Sequence, residues 1–223
     1  MNENNRTKNK LLIHLVLVFI FFCCFYILLF LPLKFDGLFS IFGDVFAYYI
    51  PVFYSPRSLW TNLLYSGFPS LADPQFQLWY PLNYFFSLFS NSWNGFIISA
   101  YVLASCFSYG YVYSLTNSRL AAAISGIVYG MSGFMVAYWG YSTIIHAVPW
   151  IPLLIWSLDK LRHKFNGGWF IAGSCAVACI LLAGHPQISV YGLLWLQLML
   201  WCLAIQLQLG VGNIIESIFL LCF

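Results

Sequence analysis

The sequence predicts an all-α fold, a polytopic transmembrane bundle of about six spanning helices plus a partial seventh. Its 223 residues are 62% hydrophobic and only 7% charged, whereas about 25% of the residues in a soluble domain are charged. Apolar runs of about 20 residues recur along it, and an α-helix of that length crosses the hydrocarbon core of a bilayer. The bilayer is therefore the expected solvent for most of the chain.

The first apolar run, residues 11–31, contains no charged side chain and follows a short basic tail, residues 1–10. A cleavable signal peptide also begins with basic residues, but its apolar core is about 7–15 residues long and ends in small residues. This run is longer and ends in bulky residues. We predict a cytoplasmic tail followed by an uncleaved first transmembrane helix.

Residues 32–92 form the one long loop that the sequence predicts outside the membrane, on the periplasmic or extracellular side. Ser55 before Pro56, and Asp73 before Pro74, each resemble a helix N-cap followed by proline at the first helical position. We therefore expect short amphipathic helices that lie on the membrane surface. Four aromatic side chains suit that interfacial position, namely Trp60, Tyr65, Trp79 and Tyr80.

Residues 93–209 contain the remaining apolar runs and predict five further transmembrane helices with short connections. The fourth and fifth spans of the chain are short and contain Pro149, Pro152 and Gly173, so we expect either of them to be tilted, kinked or incomplete. Gly126 and Gly130 form a GxxxG step that allows a neighbouring helix to pack closely. Residues 210–223 start another apolar run, so we expect this chain to be the front part of a longer design. The predicted spans are 93–115, 120–139, 144–158, 169–184 and 188–207.

The distribution of Lys and Arg predicts the orientation, because cytoplasmic loops retain positive charge. With the amino terminus in the cytoplasm, only Lys34 and Arg57 lie outside. The reversed topology would place most of the cations outside. The seven basic residues predicted inside are Arg6, Lys8, Lys10, Arg119, Lys160, Arg162 and Lys164.

Ionisable side chains from three separate loops fall on the predicted outer side. Helix capping would explain Asp44 and Asp73, and hydrogen bonding at the interface would explain His146 and His185. Polar groups at membrane level are costly, however, and their gathering on one side also predicts a shared functional cleft. Arg57 would either meet a phosphate there or anchor the loop to lipid headgroups. Asp36 completes this outer set.

Two classes of site are not predicted. The net charge of +3 lies in short clusters beside apolar runs, so nucleic-acid binding is not indicated. Cys175 and Cys179 share a helix face, but their run contains no His or carboxylate that would complete a metal site. We interpret the cysteines as small apolar side chains and predict no metal-ligand set.

Four segments resemble YfhO-like bacterial membrane proteins. They are Gly-Asp at 43–44, Ser-Gly-Phe-Pro-Ser-Leu-Ala-Asp-Pro-Gln at 66–75, Trp-Tyr-Pro-Leu-Asn at 79–83 and Gly-His-Pro-Gln at 184–187. The resemblance covers essentially the whole chain but only the front part of that family. Those proteins are usually placed with the GT-C glycosyltransferases, whose layout is similar to that of transferases drawing sugar from polyprenyl phosphates. The resemblance implies a location in the bacterial cytoplasmic membrane.

The resemblance also implies roles for individual residues. Asp44 matches the acidic residue of the first outer loop, which acts as a general base on the acceptor or helps to hold a metal. The cofactor therefore stays open, with a divalent metal as one alternative, and the partners are membrane lipid and a polyprenyl-phosphate-linked sugar. The oligomeric state is not predicted. The expected substrate-binding residues are Arg57, Asp73, Gln75, His146 and His185.

Two other functions compete with a transferase. The same cleft would serve a non-catalytic membrane protein, such as a transporter or an assembly component, that binds a lipid-linked sugar without turnover. The chain would otherwise be an inactive remnant of a longer enzyme. Binding without turnover distinguishes the first of these from catalysis, and the downstream DNA sequence tests the second.

Overall fold

A computed structural model describes residues 3–33, 43–62 and 66–209. These residues are predominantly helical and contain no β-strand beyond one antiparallel bridge between Thr61 and Phe68. The all-α class is therefore confirmed. Lys34, Asp36, Tyr65 and the partial helix predicted at 210–223 lie outside the described residues.

The helices follow one another with short connections, apart from the segment between the first and fourth. Within that segment the chain forms a π-helical turn, Val45–Tyr49, and a 3₁₀ turn, Pro74–Phe76. The α-helices are α1 Glu3–Phe30, α2 Ile50–Tyr54, α3 Pro81–Ser87, α4 Trp93–Thr116, α5 Arg119–Gly130, α6 Gly133–Ala137, α7 Ser142–Ala147, α8 Trp150–His163, α9 Gly167–Leu182 and α10 Pro186–Leu209.

Four helical stretches of the described chain are long and apolar enough to cross a membrane. They are Ile13–Phe30, Trp93–Thr116, Arg119–Ala137 and Ser142–His163. Helix α9, with 16 residues, is apolar but shorter than the roughly 20 residues of a typical span. The membrane character is thus supported, while the total of six spans stays a prediction.

Two of the four stretches are interrupted. The third breaks between α5 and α6, where the Ser132 side chain accepts a hydrogen bond from the backbone N–H of Met135 and caps α6. The fourth breaks between α7 and α8, with Pro149 at the start of α8. Proline lacks a backbone N–H and interrupts the helical hydrogen bonds, which accounts for the break between the two helices. Whether this span is tilted or kinked stays a prediction.

Small residues allow α1, α4 and α5 to pack closely. A side chain at Gly130 would collide with the hydroxyls of Tyr26 on α1 and Ser105 on α4, which lie 2.6 Å apart. A side chain at Gly126 would meet the backbone of Ser105 and the ring of Phe22. The predicted GxxxG contact is therefore formed within the chain.

Ring contacts show that α1 and α4 run in opposite directions. His14 packs against Tyr109 and Tyr113, whereas Phe30 lies 4.8 Å from Tyr101 between ring centroids. The end of α1 and the start of α4 therefore share one end of the bundle. We call it the loop end; residues 43–62, 66–92, 138–141 and 183–185 lie there, and the connections after α4 and α8 lie at the opposite end.

One predicted helix start is wrong and another is correct. Ser55 ends α2 instead of beginning a helix, because its backbone N–H and its hydroxyl both donate to the carbonyl of Val52. Asp73 caps its turn as predicted, since its Oδ1 accepts the backbone N–H of Gln75 at 2.9 Å. Tyr80, expected at the interface, is fully buried. That the loop helices lie on the membrane stays a prediction.

Candidate functional site

Polar side chains from three parts of the chain lie at the loop end, and five of them are joined by hydrogen bonds. We call this group the loop-end cluster; its members are Asp44, Tyr48, Tyr49, Asp73, Gln75, Thr143 and His185. Four of the six residues singled out from the sequence belong to it. The other two, Arg57 and His146, occupy separate environments.

Two consecutive tyrosines on the π-helical turn connect the cluster. The Tyr48 hydroxyl donates to Oδ2 of Asp73 at 2.5 Å. The Tyr49 hydroxyl lies 3.4 Å from Oε1 of Gln75 and 3.4 Å from Oγ1 of Thr143 on α7. Because π-helical turns are frequent at functional sites, the local backbone itself marks this region.

Asp73 is held on both of its carboxylate oxygens. Oδ2 accepts from Tyr48, and Oδ1 accepts from the backbone N–H of Gln75. A carboxylate that accepts two hydrogen bonds and is half-buried has a fixed orientation. Asp73 is therefore suited to organising the site.

Asp44 differs from Asp73 in its surroundings. It occupies the N-cap position of the turn Val45–Tyr49, yet its side chain makes no capping hydrogen bond and is exposed. Burial raises the pKa of the Tyr49 hydroxyl, and the charges of Asp44 and Asp73 raise it further, while the bond to Thr143 opposes them. Both carboxylates thus act on one hydroxyl, and Asp44 is the one open to an incoming molecule.

The loop packs directly on the turn between α9 and α10. Gly184 has a φ of +85°, and a side chain there would overlap the carbonyl of Pro74. Close by, Nε2 of Gln77 donates to the carbonyl of Ala183 at 2.8 Å. Glycine is required by both the positive φ and the close approach. This contact brings His185 next to the Asp73–Gln75 turn.

His185 is half-buried, and its Nδ1 is a buried nitrogen without a hydrogen-bond partner among the described residues. Burial lowers the pKa of His185 below its ordinary value, since an imidazolium is poorly solvated there. The ring is consequently neutral near pH 7, with one nitrogen able to donate a hydrogen bond and the other able to accept one.

Gln77 fixes the loop, although nothing in the sequence pattern singled it out. Its side chain is buried, and its Oε1 accepts from Asn83 at 3.1 Å and from Ser142 at 3.1 Å. With its bond to Ala183, the same amide joins the loop to two hairpins of the bundle. A left-handed backbone, with a φ of 49°, is the only local peculiarity at this residue.

His146 lies apart from the cluster and is fully buried. Its Nε2 is 3.0 Å from the carbonyl of Phe96, an arrangement that requires a proton on Nε2, so Nδ1 accepts from the Tyr80 hydroxyl at 3.2 Å. Trp150 in turn donates to that hydroxyl at 3.1 Å. Both imidazole nitrogens are therefore used in packing α7 against α4 and the loop.

Arg57 is also occupied within the loop. It donates to the carbonyls of Gln77 and Leu78, to the Asn83 side chain and to the Ser87 hydroxyl. Burial lowers the pKa of the guanidinium, an effect that the nearby Tyr84 opposes. In this arrangement Arg57 stabilises the fold of the loop and does not reach the loop-end cluster.

Within residues 3–33, 43–62 and 66–209, no group of three or more His, Cys, Asp or Glu side chains is arranged to hold a metal ion. The chemistry available in the cluster is that of two carboxylates, three hydroxyls, an amide and a neutral imidazole. Such a set can accept a proton, orient hydroxyl groups and donate hydrogen bonds.

Comparisons of the chain with models of protein families, with curated proteins and with solved structures found no match.

Proposed function

We propose that this chain is a membrane glycosyltransferase of GT-C type, related to the YfhO-like proteins, that uses a polyprenyl-phosphate-linked sugar. The reaction takes place on the outer face of the bacterial cytoplasmic membrane, with the amino terminus in the cytoplasm. The observation that carries the proposal is the pair of unlike carboxylates at the loop end. Asp44 is exposed and not engaged in capping, whereas Asp73 is held by two hydrogen bonds.

Asp44 acts as the general base in this proposal. As the acceptor hydroxyl attacks the anomeric carbon, its proton passes to Asp44, and the bond from that carbon to the phosphate oxygen breaks. The phosphate leaves with the bonding electron pair and remains on the polyprenyl lipid. Tyr48 and Tyr49 hold Asp73 and Gln75 in place beside this reaction.

The residues proposed to meet the sugar and its phosphate are Asp73, Gln75 and His185. Gln75 is exposed and its Oε1 lies 3.4 Å from the Tyr49 hydroxyl, so its amide N–H₂ group can donate to a ligand. The His185 ring has a buried nitrogen without a partner among the described residues. Arg57 and His146 are not part of the proposed site. Arg57 makes its hydrogen bonds within the loop, and His146 makes its hydrogen bonds between packed helices.

The charge distribution supports the proposed orientation. The two described outer-loop carboxylates lie at the loop end, whereas Arg119, Lys160 and Lys164 lie at the opposite end of the bundle. A cation-rich end is typical of the cytoplasmic side of a membrane protein. The loop-end cluster then faces the side on which lipid-linked sugars serve enzymes of this type.

The state of Arg57 favours a second candidate function, a non-catalytic protein that binds a lipid-linked sugar. A departing phosphate gains negative charge, and an enzyme usually stabilises it with a cation. Arg57 is the one cation among the described loop-end residues, and it is engaged by carbonyls and side chains of the loop. A protein that binds the sugar without transferring it does not need a free cation to stabilise a departing phosphate.

The test compares surface glycans and polyprenyl-linked sugars by mass spectrometry in a deletion strain. The strain is complemented with the unmodified chain, with Asp44→Asn or with Asp44→Glu, at matched membrane levels. The proposal expects one glycan to disappear on deletion, to return with the unmodified chain and partly with Asp44→Glu, and to stay absent with Asp44→Asn. Full restoration by Asp44→Asn would favour the non-catalytic function.

A further inference from the structure

Helix α3 presents an apolar face outwards. Tyr84 and Leu88, four residues apart, are 54% and 66% exposed, and Phe85 and Phe89, with the same spacing, are 54% and 54% exposed. Tyr84 and Phe85 belong to α3, Leu88 follows its last residue in helical conformation, and the rings of Phe85 and Phe89 lie 5.4 Å apart between centroids. These four side chains therefore form one exposed apolar surface at the end of α3. In a protein surrounded by water, a surface of this kind would be an aggregation or docking site.

The polar side chains of α3 point in the opposite direction, into the protein. Asn83 is 3% exposed, and its amide donates to Gln77 while its oxygen accepts from Arg57. The Ser87 hydroxyl also accepts from Arg57, at 2.8 Å. An amphipathic helix in water has the reverse arrangement, with its polar side chains outside. Helix α3 is therefore built for an apolar surrounding medium.

The position of α3 identifies that medium. Only residues 88–92 separate it from α4, which is one of the four stretches suited to crossing a membrane. Along α1, another of those stretches, Leu17 and Leu28 are 59% and 69% exposed, much as the α3 face is. The outward face of α3 thus continues the lipid-facing surface of the bundle at the point where α4 begins.

We infer that α3 and Phe89 are inserted into the lipid acyl chains of the leaflet in which α4 begins. Arg57 can lie behind this face because four acceptors in the loop receive its hydrogen bonds, which offsets much of the loss of water. The occupant of the surface is bulk membrane lipid, bound through its acyl chains. The inference does not rest on the proposed transferase activity.

The experiment places a photo-reactive benzoylphenylalanine at Phe85 or Phe89 of the full chain. The chain is reconstituted in vesicles of phosphatidylethanolamine and phosphatidylglycerol with labelled acyl chains. Leu28, on the lipid-facing side of α1, is the positive reference, and Ala72, an exposed residue beside Asp73, is the water-facing reference. After illumination, lipid label on the protein is measured for each position.

Lipid labelling at Phe85 and Phe89 should be within about twofold of that at Leu28 and at least about fivefold above that at Ala72, since acyl chains surround only the first three positions. Labelling at the level of Ala72 would overturn the inference. A cross-link to a second copy of the chain in place of lipid would overturn it as well, because the surface would then be a protein interface.

A second measurement keeps the test independent of folding yield. Phe85→Cys and Ala72→Cys are treated in intact vesicles with a charged maleimide, in a background without the native cysteines. We expect Ala72→Cys to react at least about tenfold faster, because a thiol in the acyl region is shielded from water and rarely ionises. Equal rates at the two positions would contradict the insertion of α3.

Discussion

The Tyr48 hydroxyl donates a hydrogen bond of 2.5 Å to Oδ2 of Asp73, 25 residues further along the chain. This contact joins the π-helical turn to the capped turn that follows it in the loop. It also makes the two described carboxylates of the loop unlike each other, since Asp73 is held and Asp44 is exposed. This difference is the basis for proposing that Asp73 organises the site and that Asp44 reacts.

Removal of the Tyr48 hydroxyl should weaken the site without unfolding the bundle. In Tyr48→Phe, the Asp73 carboxylate loses the hydrogen bond that it accepts from the Tyr48 hydroxyl. We expect the turn to be misplaced and the transfer rate to fall by about 10-fold. The rate is measured in vesicles with a polyprenyl-phosphate-linked sugar. Tyr84→Phe is the matched control, because that exposed ring makes no hydrogen bond that the site uses. An equal loss in both variants would contradict the assigned role.

Gly184→Ala should disrupt the docking of the loop on the α9–α10 turn. The new side chain would overlap the carbonyl of Pro74, and alanine is strained at a φ of +85°. Backbone strain alone costs about 1–3 kcal/mol. We expect a clear fall in the thermal inactivation temperature in detergent. Gly133→Ala is the control, since a side chain there meets nothing within 4 Å, and unchanged stability of Gly184→Ala would refute the contact.

Replacement of His146 should lower the stability of the protein, because this residue packs the helices and is not part of the proposed site. In His146→Leu, the Tyr80 hydroxyl loses the imidazole Nδ1 at 3.2 Å and keeps only the backbone carbonyl of residue 146, at 3.4 Å, as an acceptor, and the packing with Phe96 changes. Loss of a hydrogen bond between buried groups costs about 0.5–1.5 kcal/mol, so we expect a lower inactivation temperature. His185→Leu should keep stability near that of the unmodified chain at pH 7 and lose transfer or binding instead. Unchanged stability of His146→Leu would argue against a packing role.

The stability of the chain should fall as the pH falls below about 6.5, in part through His185. Burial lowers the pKa of this residue from its ordinary value of 6.5. Below that pH the unfolded chain binds a proton that the folded chain does not, so acid favours unfolding until the folded-state pKa is passed. Thermal inactivation measured from pH 7.5 to 5 should have a smaller pH slope in His185→Gln. An identical slope would contradict burial of the imidazole.

Hydropathy alone predicted the helices that continue through the bundle, because apolar length is a local property. The cap at Asp73 was predictable for the same reason, since it depends on the residues that follow at once. Ser55 before Pro56 gave a wrong prediction because proline is common just after a helix as well as at its start. The serine closes α2 by bonding back to Val52.

The site itself depends on contacts that no local pattern contains. Tyr49 meets Thr143 across 94 residues, and Gln77 meets Ala183 across 106. Tyr80 was expected at the interface, yet its hydroxyl finds two partners, His146 and Trp150, inside the protein. Once those partners are available, burial of the aromatic ring is favourable. The sequence could indicate which residues are polar, but only the packing decides which of them meet.

The most direct test of the central claim is transfer of a labelled sugar by the purified full chain in vesicles. A panel of polyprenyl-phosphate-linked sugars is supplied to the unmodified chain and to Asp44→Asn, and both donor binding and product are measured. If Asp44 is the general base, Asp44→Asn should bind the donor within about threefold of the unmodified chain and turn it over about 10²–10⁴ times more slowly. Equal turnover by the two chains, or binding without turnover by the unmodified chain, would contradict the proposed transferase.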